Sequence, residues 1–195
     1  MLNMVKGCVV YDPSLLSPGY ERTPTGFMAN VDAEKILPLI EEFLSRQDSH
    51  IFFFLEIPTN EKDEPNPEHS VHRDVYYWDG LTAEFARELL RIFGELLIHD
   101  GMNWFGFGVH GFDHEIMKQP YNVVTIYTHA PERYDGMFEA LNIPQTDDLK
   151  TAWSFFTVQT PGTCLLHECS GKNIYDLVEM LKPYGLYFGE RKEIS

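Results

Sequence analysis

The stretch Met102–His129, MNWFGFGVHGFDHEIMKQPYNVVTIYTH, constrains the fold more than any other. From Trp104 to His110 the residues alternate. Trp104, Gly106, Gly108 and His110 share one face, and Phe105, Phe107 and Val109 share the other, which is the period of a strand. The two glycines leave the first face bare, so a backbone, a helix or a ligand must come close to it. His114–Lys118 reads as a second short strand, Gln119-Pro120 as a turn, and Asn122–Thr128 as a third strand. These strands belong side by side in the middle of one sheet.

The flanking sequence supplies the other layers. Val5–Tyr11 reads as a first strand, and residues 12–26, with Pro13, Pro18, Gly19, Pro24 and Gly26, as a loop. Asp32 can cap a helix running to Arg46, with Ile36, Leu39, Ile40, Phe43 and Leu44 on one face; Pro38 either kinks it or opens its main part. Ile51–Ile57 is almost wholly apolar and predicts a strand covered on both faces. Val71–Trp78 pairs with it across an acidic loop. Thr82 caps a helix ending near His99, with Phe85, Leu89, Ile92, Phe93 and Leu96 as its buried stripe. A helix over Pro131–Leu141, weakened by Gly136, and a short one from Thr146 toward Trp153 follow. Ser154–Gln159 and Thr163–Glu168 flank Thr160-Pro161-Gly162 and read as a hairpin. Asn173–Lys182 is a last amphipathic helix, and Leu186–Phe188 a last strand. Strands that follow strands directly predict an α+β fold. Its sheet is mostly antiparallel, with mixed pairing allowed, about 7–9 strands and about 4–5 packed helices. Residues 1–195 read as one such domain.

Charge and composition narrow the partners. The net charge is −15 over 195 residues, which disfavours nucleic acid and an anionic membrane surface and permits a basic protein. Cys8, Cys164 and Cys169 are too few and wrongly spaced for a disulfide framework or a zinc knuckle. The N-terminal residues lack the apolar run of a signal peptide, no window suits a transmembrane span, and a cytoplasmic location follows by elimination. No P-loop, GxGxxG or GxSxG pattern is present, and the sequence calls for no cofactor.

Three groups could carry chemistry. His110, Asp113, His114 and Glu115 place two imidazoles and two carboxylates within six residues. A hairpin end that brought the imidazoles together could hold a divalent metal for hydrolysis, although turn chemistry also selects such residues. His69 and His72, beside Glu68 and Asp74, form a weaker pair of the same type. Cys164 or Cys169 with His167 could support thiolate chemistry, against the usual expectation that a thiol in an apolar strand is inert packing. Finally, Tyr76, Tyr77 and Trp78 are consecutive, so at least one faces away from a one-sided core. Tyr76, Trp78, Trp104, Phe112 and Tyr121 would then make an aromatic face rimmed by carboxylates. The reading that follows is a non-catalytic module whose acidic, aromatic face binds a basic partner, in the manner of a bacterial immunity or inhibitor protein. A small metal-dependent hydrolase is the alternative, and a homo-oligomer burying the same aromatic face is a third.

Overall fold

The computed structural model describes residues 1–48, 50–65, 72–111 and 114–193. Among these residues ten strands and four α-helices follow one another. The strands are β1 (Cys8–Val9), β2 (Gly19–Thr23), β3 (Gly26–Asn30), β4 (Ile51–Pro58), β5 (His72–Leu81), β6 (Trp104–Val109), β7 (His114–Lys118), β8 (Val123–Tyr127), β9 (Thr163–Cys164) and β10 (Tyr187–Glu193). The helices are α1 (Ala33–Ser45), α2 (Ala83–His99), the single turn α3 (Met137–Ala140) and α4 (Ile174–Leu181). Eight strands form one sheet in the order β10-β5-β4-β6-β7-β8-β3-β2, while β1 and β9 pair separately. Every pairing between these strands is antiparallel, so the fold is α+β on an antiparallel sheet.

The strands of Met102–His129 do lie centrally, with β4 beside them. Residues directly opposite each other share a face, so one core row crosses the sheet as Trp78, Phe53, Phe107, Ile116, Ile126 and Phe27. All six are buried, and α1, α2 and α4 contribute Ile36, Leu39, Phe43, Leu97, Leu177 and Val178 to the same core. Burying such side chains is worth about 1.5–3 kcal/mol each, which fixes the register of these six strands.

Local signals place the helix ends. The Thr82 hydroxyl accepts the Phe85 amide at the start of α2, and Asn173 and Asp176 form a reciprocal capping box on α4. Pro38 neither breaks nor divides α1, which runs through it.

Several expectations are corrected. Residues 12–26 do not form a plain loop, because β2 lies inside them and β3 begins at Gly26. Pro18 and Pro24 sit outside the ends of β2, and the edge of a sheet tolerates that. Thr23 pairs with Gly26 around a two-residue Pro24-Thr25 turn. The first strand shrinks to Cys8–Val9 and pairs with Thr163–Cys164, which displaces the expected 154–168 hairpin. Residues 154–159 form no strand: Phe156 packs against Tyr121 and Trp153, while Val158 is almost fully exposed. The buried stripe of α2 is rotated: Leu89 and Leu96 are buried, but Phe85 and Ile92 face solvent, and Ala86, Leu90, Leu97 and Ile98 face the core. Gly136, at φ +77°, splits the predicted 131–141 helix into a 3-10 turn and α3. The predicted 146–153 helix is a 3-10 turn over Ala152–Ser154. Among the described residues no helix is long and apolar enough to cross a membrane.

Candidate functional site

The helices supply one face of the large sheet, and among the described residues the other face carries no helix. A second row of opposing residues crosses that open face through all eight strands: Tyr187, Tyr77, Phe54, Gly106, Met117, Thr125, Met28 and Glu21. Phe52, Gly108, Glu115 and Tyr127 form a parallel row, and Glu56 stands opposite Trp104 beyond the first. The expectation that β4 is covered on both faces is therefore corrected, since Phe52 and Glu56 stay partly exposed.

The glycines explain how so many aromatic residues fit there. A Cβ on Gly108 would lie 2.3 Å from the Phe52 ring, and one on Gly106 would lie 2.7 Å from the Phe54 ring. Gly189, in the bulge of β10, accommodates Tyr77 in the same way at 2.5 Å. Each ring sits against the bare backbone of the neighbouring strand. The close neighbour that the glycines demand is thus an aromatic ring, and the open face is a shallow aromatic floor.

Carboxylates interrupt this floor. Glu115 and Tyr127 line two adjoining hollows. One, of about 410 Å³, also includes Met28, Met117 and Thr125. The other, of about 250 Å³, includes Phe52 and His110. Burial among these groups raises the Glu115 carboxyl above the usual range, with Lys192 opposing weakly. No hydrogen bond or ion pair holds that carboxylate among the described residues. At one end, Asp79 accepts from the Tyr187 hydroxyl (2.6 Å) and contacts His110 Nε2 (2.7 Å), and these two hydrogen bonds lower its carboxyl. At the other, Glu56 pairs with Arg73 (2.7 Å) and with Lys192 (3.4 Å). Comparison with protein-family models, curated proteins and solved structures finds no match.

The structure separates the predicted histidine cluster. His110 lies on the open face against Phe52, with ring centroids 4.5 Å apart. His114 belongs to the core-facing row, hydrogen-bonds Thr128 Oγ1 at 2.9 Å and meets Tyr134 edge-on. The two therefore occupy positions of opposite strand face, although His114 also lines the 250 Å³ hollow that holds His110 and Glu115. Asp113 and Phe112 lie outside the described residues, as do Glu68 and His69. Among the described residues no three His, Cys, Asp or Glu side chains gather as metal ligands. His72 instead contacts Glu64 at 2.6 Å.

The aromatic set is also redistributed. Tyr76 and Trp78 point into the core because the middle residue of that triplet, Tyr77, takes the open face. Tyr121 is buried at the end of the sheet against Trp153 and Phe156. Of the expected five, Trp104 stands on the open face, with the Arg73 guanidinium over its ring. Phe52, Phe54, Met117 and Tyr187 are the residues that sequence reasoning missed, and Tyr77 is the outward member of its triplet. The alternation in IFFFLEI, with a glycine opposite each outward Phe, was the signal that could have found the first two.

Proposed function

We propose that this protein is a non-catalytic binding module whose open sheet face docks a basic segment of a partner protein. The observation that carries the reading is Glu115, a half-buried carboxylate without a hydrogen-bond or ion-pair partner among the described residues, set between two hollows in an aromatic and methionine-lined floor. Such a group favours a cation arriving with its own apolar stem, which is the chemistry of lysine and arginine side chains. Phe52, Trp104 and Tyr127 add faces for cation–π contact. The net charge of −15 would speed the approach of a cationic partner and reject anionic ones. An inhibitor of the immunity type, covering a cationic effector, is the role that fits this combination.

The test is titration with an arginine- and lysine-rich peptide, against an acidic peptide of equal length. The methyl signals of Met28 and Met117 should shift with the basic peptide alone, and affinity should fall as salt rises. Glu115→Gln should weaken binding about tenfold or more, since a hydrogen bond to a charged group is worth about 1.5–3 kcal/mol. Shifts confined to the helical side, or binding indifferent to salt, would refute the reading. So would a stable homodimer by light scattering that buries the same methionines.

A further inference from the structure

At the end of the sheet, beside the Trp104 and Glu56 end of the open face, Cys8 and Cys164 are direct partners across the β1–β9 pair. The Leu165 amide donates to the Gly7 carbonyl at 2.8 Å, so Cys8 and Cys164 occupy a position without ladder bonds of its own. In such antiparallel pairs the side chains approach most closely, with Cα atoms about 4.5 Å apart, and that falls within the range a disulfide spans. Both thiols are free.

The surroundings of the two sulfurs differ. Cys8 is buried and its Sγ accepts the Tyr121 amide at 3.1 Å. That amide lies in a turn of consecutive left-handed residues, Tyr121 (φ 59°) and Asn122 (φ 64°), a conformation that non-glycine residues rarely adopt. Cys164 is partly exposed and lines a cavity of about 400 Å³ with Arg73, Met102, Trp104 and Trp153. Hydrogen bonds from the Cys8 thiol and the Tyr121 hydroxyl favour its thiolate, and the positive charges of Lys118 and Arg73 act the same way, against burial. Its proximity pushes the Cys8 thiol up, and burial adds to this. Lys118 is fully buried in an otherwise apolar row of the core face, its ammonium donating to the Asp100 carbonyl at 2.8 Å. A cation in that position has a clear use if it faces a sulfur anion. Gly162 lacks the Cβ that would meet the Tyr121 hydroxyl at 2.5 Å, and so admits that hydroxyl to the site.

We propose that Cys164 and Cys8 form a peroxide-reducing dithiol site, with Cys164 as the attacking sulfur and Cys8 as the resolving one. The Cys164 thiolate attacks one oxygen of hydrogen peroxide and the O–O bond breaks. Cys164 becomes a sulfenic acid, and the departing hydroxide takes a proton to leave as water. The Cys8 sulfur then attacks Cys164 Sγ, the S–O bond breaks, and the hydroxide leaves with the Cys8 proton as a second water. Two thiols and one peroxide yield one disulfide and two waters; the sulfurs lose the two electrons that the peroxide gains. A small-molecule thiol reductant restores the pair by exchange at the more accessible Cys164.

The test treats the full chain with hydrogen peroxide. Non-reducing peptide mass spectrometry should find Cys8 linked to Cys164 while Cys169, of similar exposure, remains reduced. Native Cys164 should react at least about tenfold faster than Cys169, and the ratio should collapse in urea, where thiol surroundings equalise. Cys8→Ser should leave Cys164 as a sulfenic acid that a 1,3-dione traps. Tyr121→Phe, which keeps the ring packing, should slow the first step. A native ratio no greater than the urea ratio, or peroxide-treated native protein without the Cys8–Cys164 link, would overturn the proposal.

Discussion

Replacing Gly108 by alanine isolates the packing of the open face in one atom. The added Cβ would lie 2.3 and 2.6 Å from two atoms of the Phe52 ring, and its three nearest atoms all belong to that ring. The strand backbone can therefore stay while the ring moves. Lifting the ring off the glycine re-exposes on the order of 60–100 Å² of apolar surface, or about 1.5–2.5 kcal/mol at roughly 25 cal/mol per Å². Alanine in a strand interior recovers roughly 0.5–1 kcal/mol over glycine through lower chain entropy in the unfolded state. The net loss for Gly108→Ala is then about 0.5–2 kcal/mol, a fall in Tm of about 1–8 °C for a chain of this size.

The companion variant Phe52→Ala decides whether the ring is the cause. With the ring removed, the Cβ on residue 108 meets no such obstacle, so Gly108→Ala in that background should stabilise by about 0.5 kcal/mol. The sign of one substitution should thus reverse between two backgrounds, a coupling of about 1–2.5 kcal/mol in a double-mutant cycle read by urea melts. If the two substitutions simply add, the glycine does not serve to seat the ring, and the account of the aromatic floor fails. Gly106→Ala should be worse in both backgrounds, because its Cβ also strikes the Ile116 carbonyl oxygen.

Three further outcomes follow from the same structure. The folded-state carboxyl of Glu115 is raised by burial, so its ionised form opposes folding above the folded pKa and that opposition fades as pH falls toward the unfolded value. Glu115→Gln should therefore raise Tm at pH 7, with the gain shrinking near pH 4; a gain that grew on acidification would contradict this. Arg191 Nε and Nη2 both reach buried Asp74, at 2.6 and 3.1 Å, and Arg191→Ala should cost about 1–3 kcal/mol and speed hydrogen exchange along β10 first. Asn173→Ala removes the acceptor for the Tyr175 and Asp176 amides and should cost about 1 kcal/mol by chemical denaturation, with Asn173→Asp close to neutral.

Elements with a strong period were legible, and those fixed by distant partners were not. Helices α1, α2 and α4 announce themselves by spacing and caps, and the central strands by alternation. Strand β2 was hidden because Pro18, Gly19 and Pro24 look like loop residues until β3 arrives to pair with it. The two-residue strands β1 and β9 bring together residues 8 and 164, a separation over which no local pattern carries information. The triplet Tyr76-Tyr77-Trp78 states that the residues alternate, but not which one faces the helices. The register with β4 settles it, since Leu55 opposite Tyr76 and Phe53 opposite Trp78 both belong to the core.

The same logic explains why the chemically informative positions were hard to find. Lys118 follows an apolar run and precedes a turn, which in a sequence suggests a solvated strand end. In the fold it replaces a hydrophobe in a buried row, between Phe105 and Val124. A charge is held in such a place only when something nearby compensates for its lost hydration, and the groups arranged about it are the Asp100 carbonyl and the two sulfurs. His110 and His114 are close in sequence, yet they flank the turn between β6 and β7, and His114 falls in the core-facing row while His110 lies against Phe52. Cys8, Lys118, Tyr121 and Cys164 are scattered through the chain and converge at one corner of the sheet. In an antiparallel sheet, proximity of function follows the opposing rows that cross the strands, and those rows appear only when the register is known.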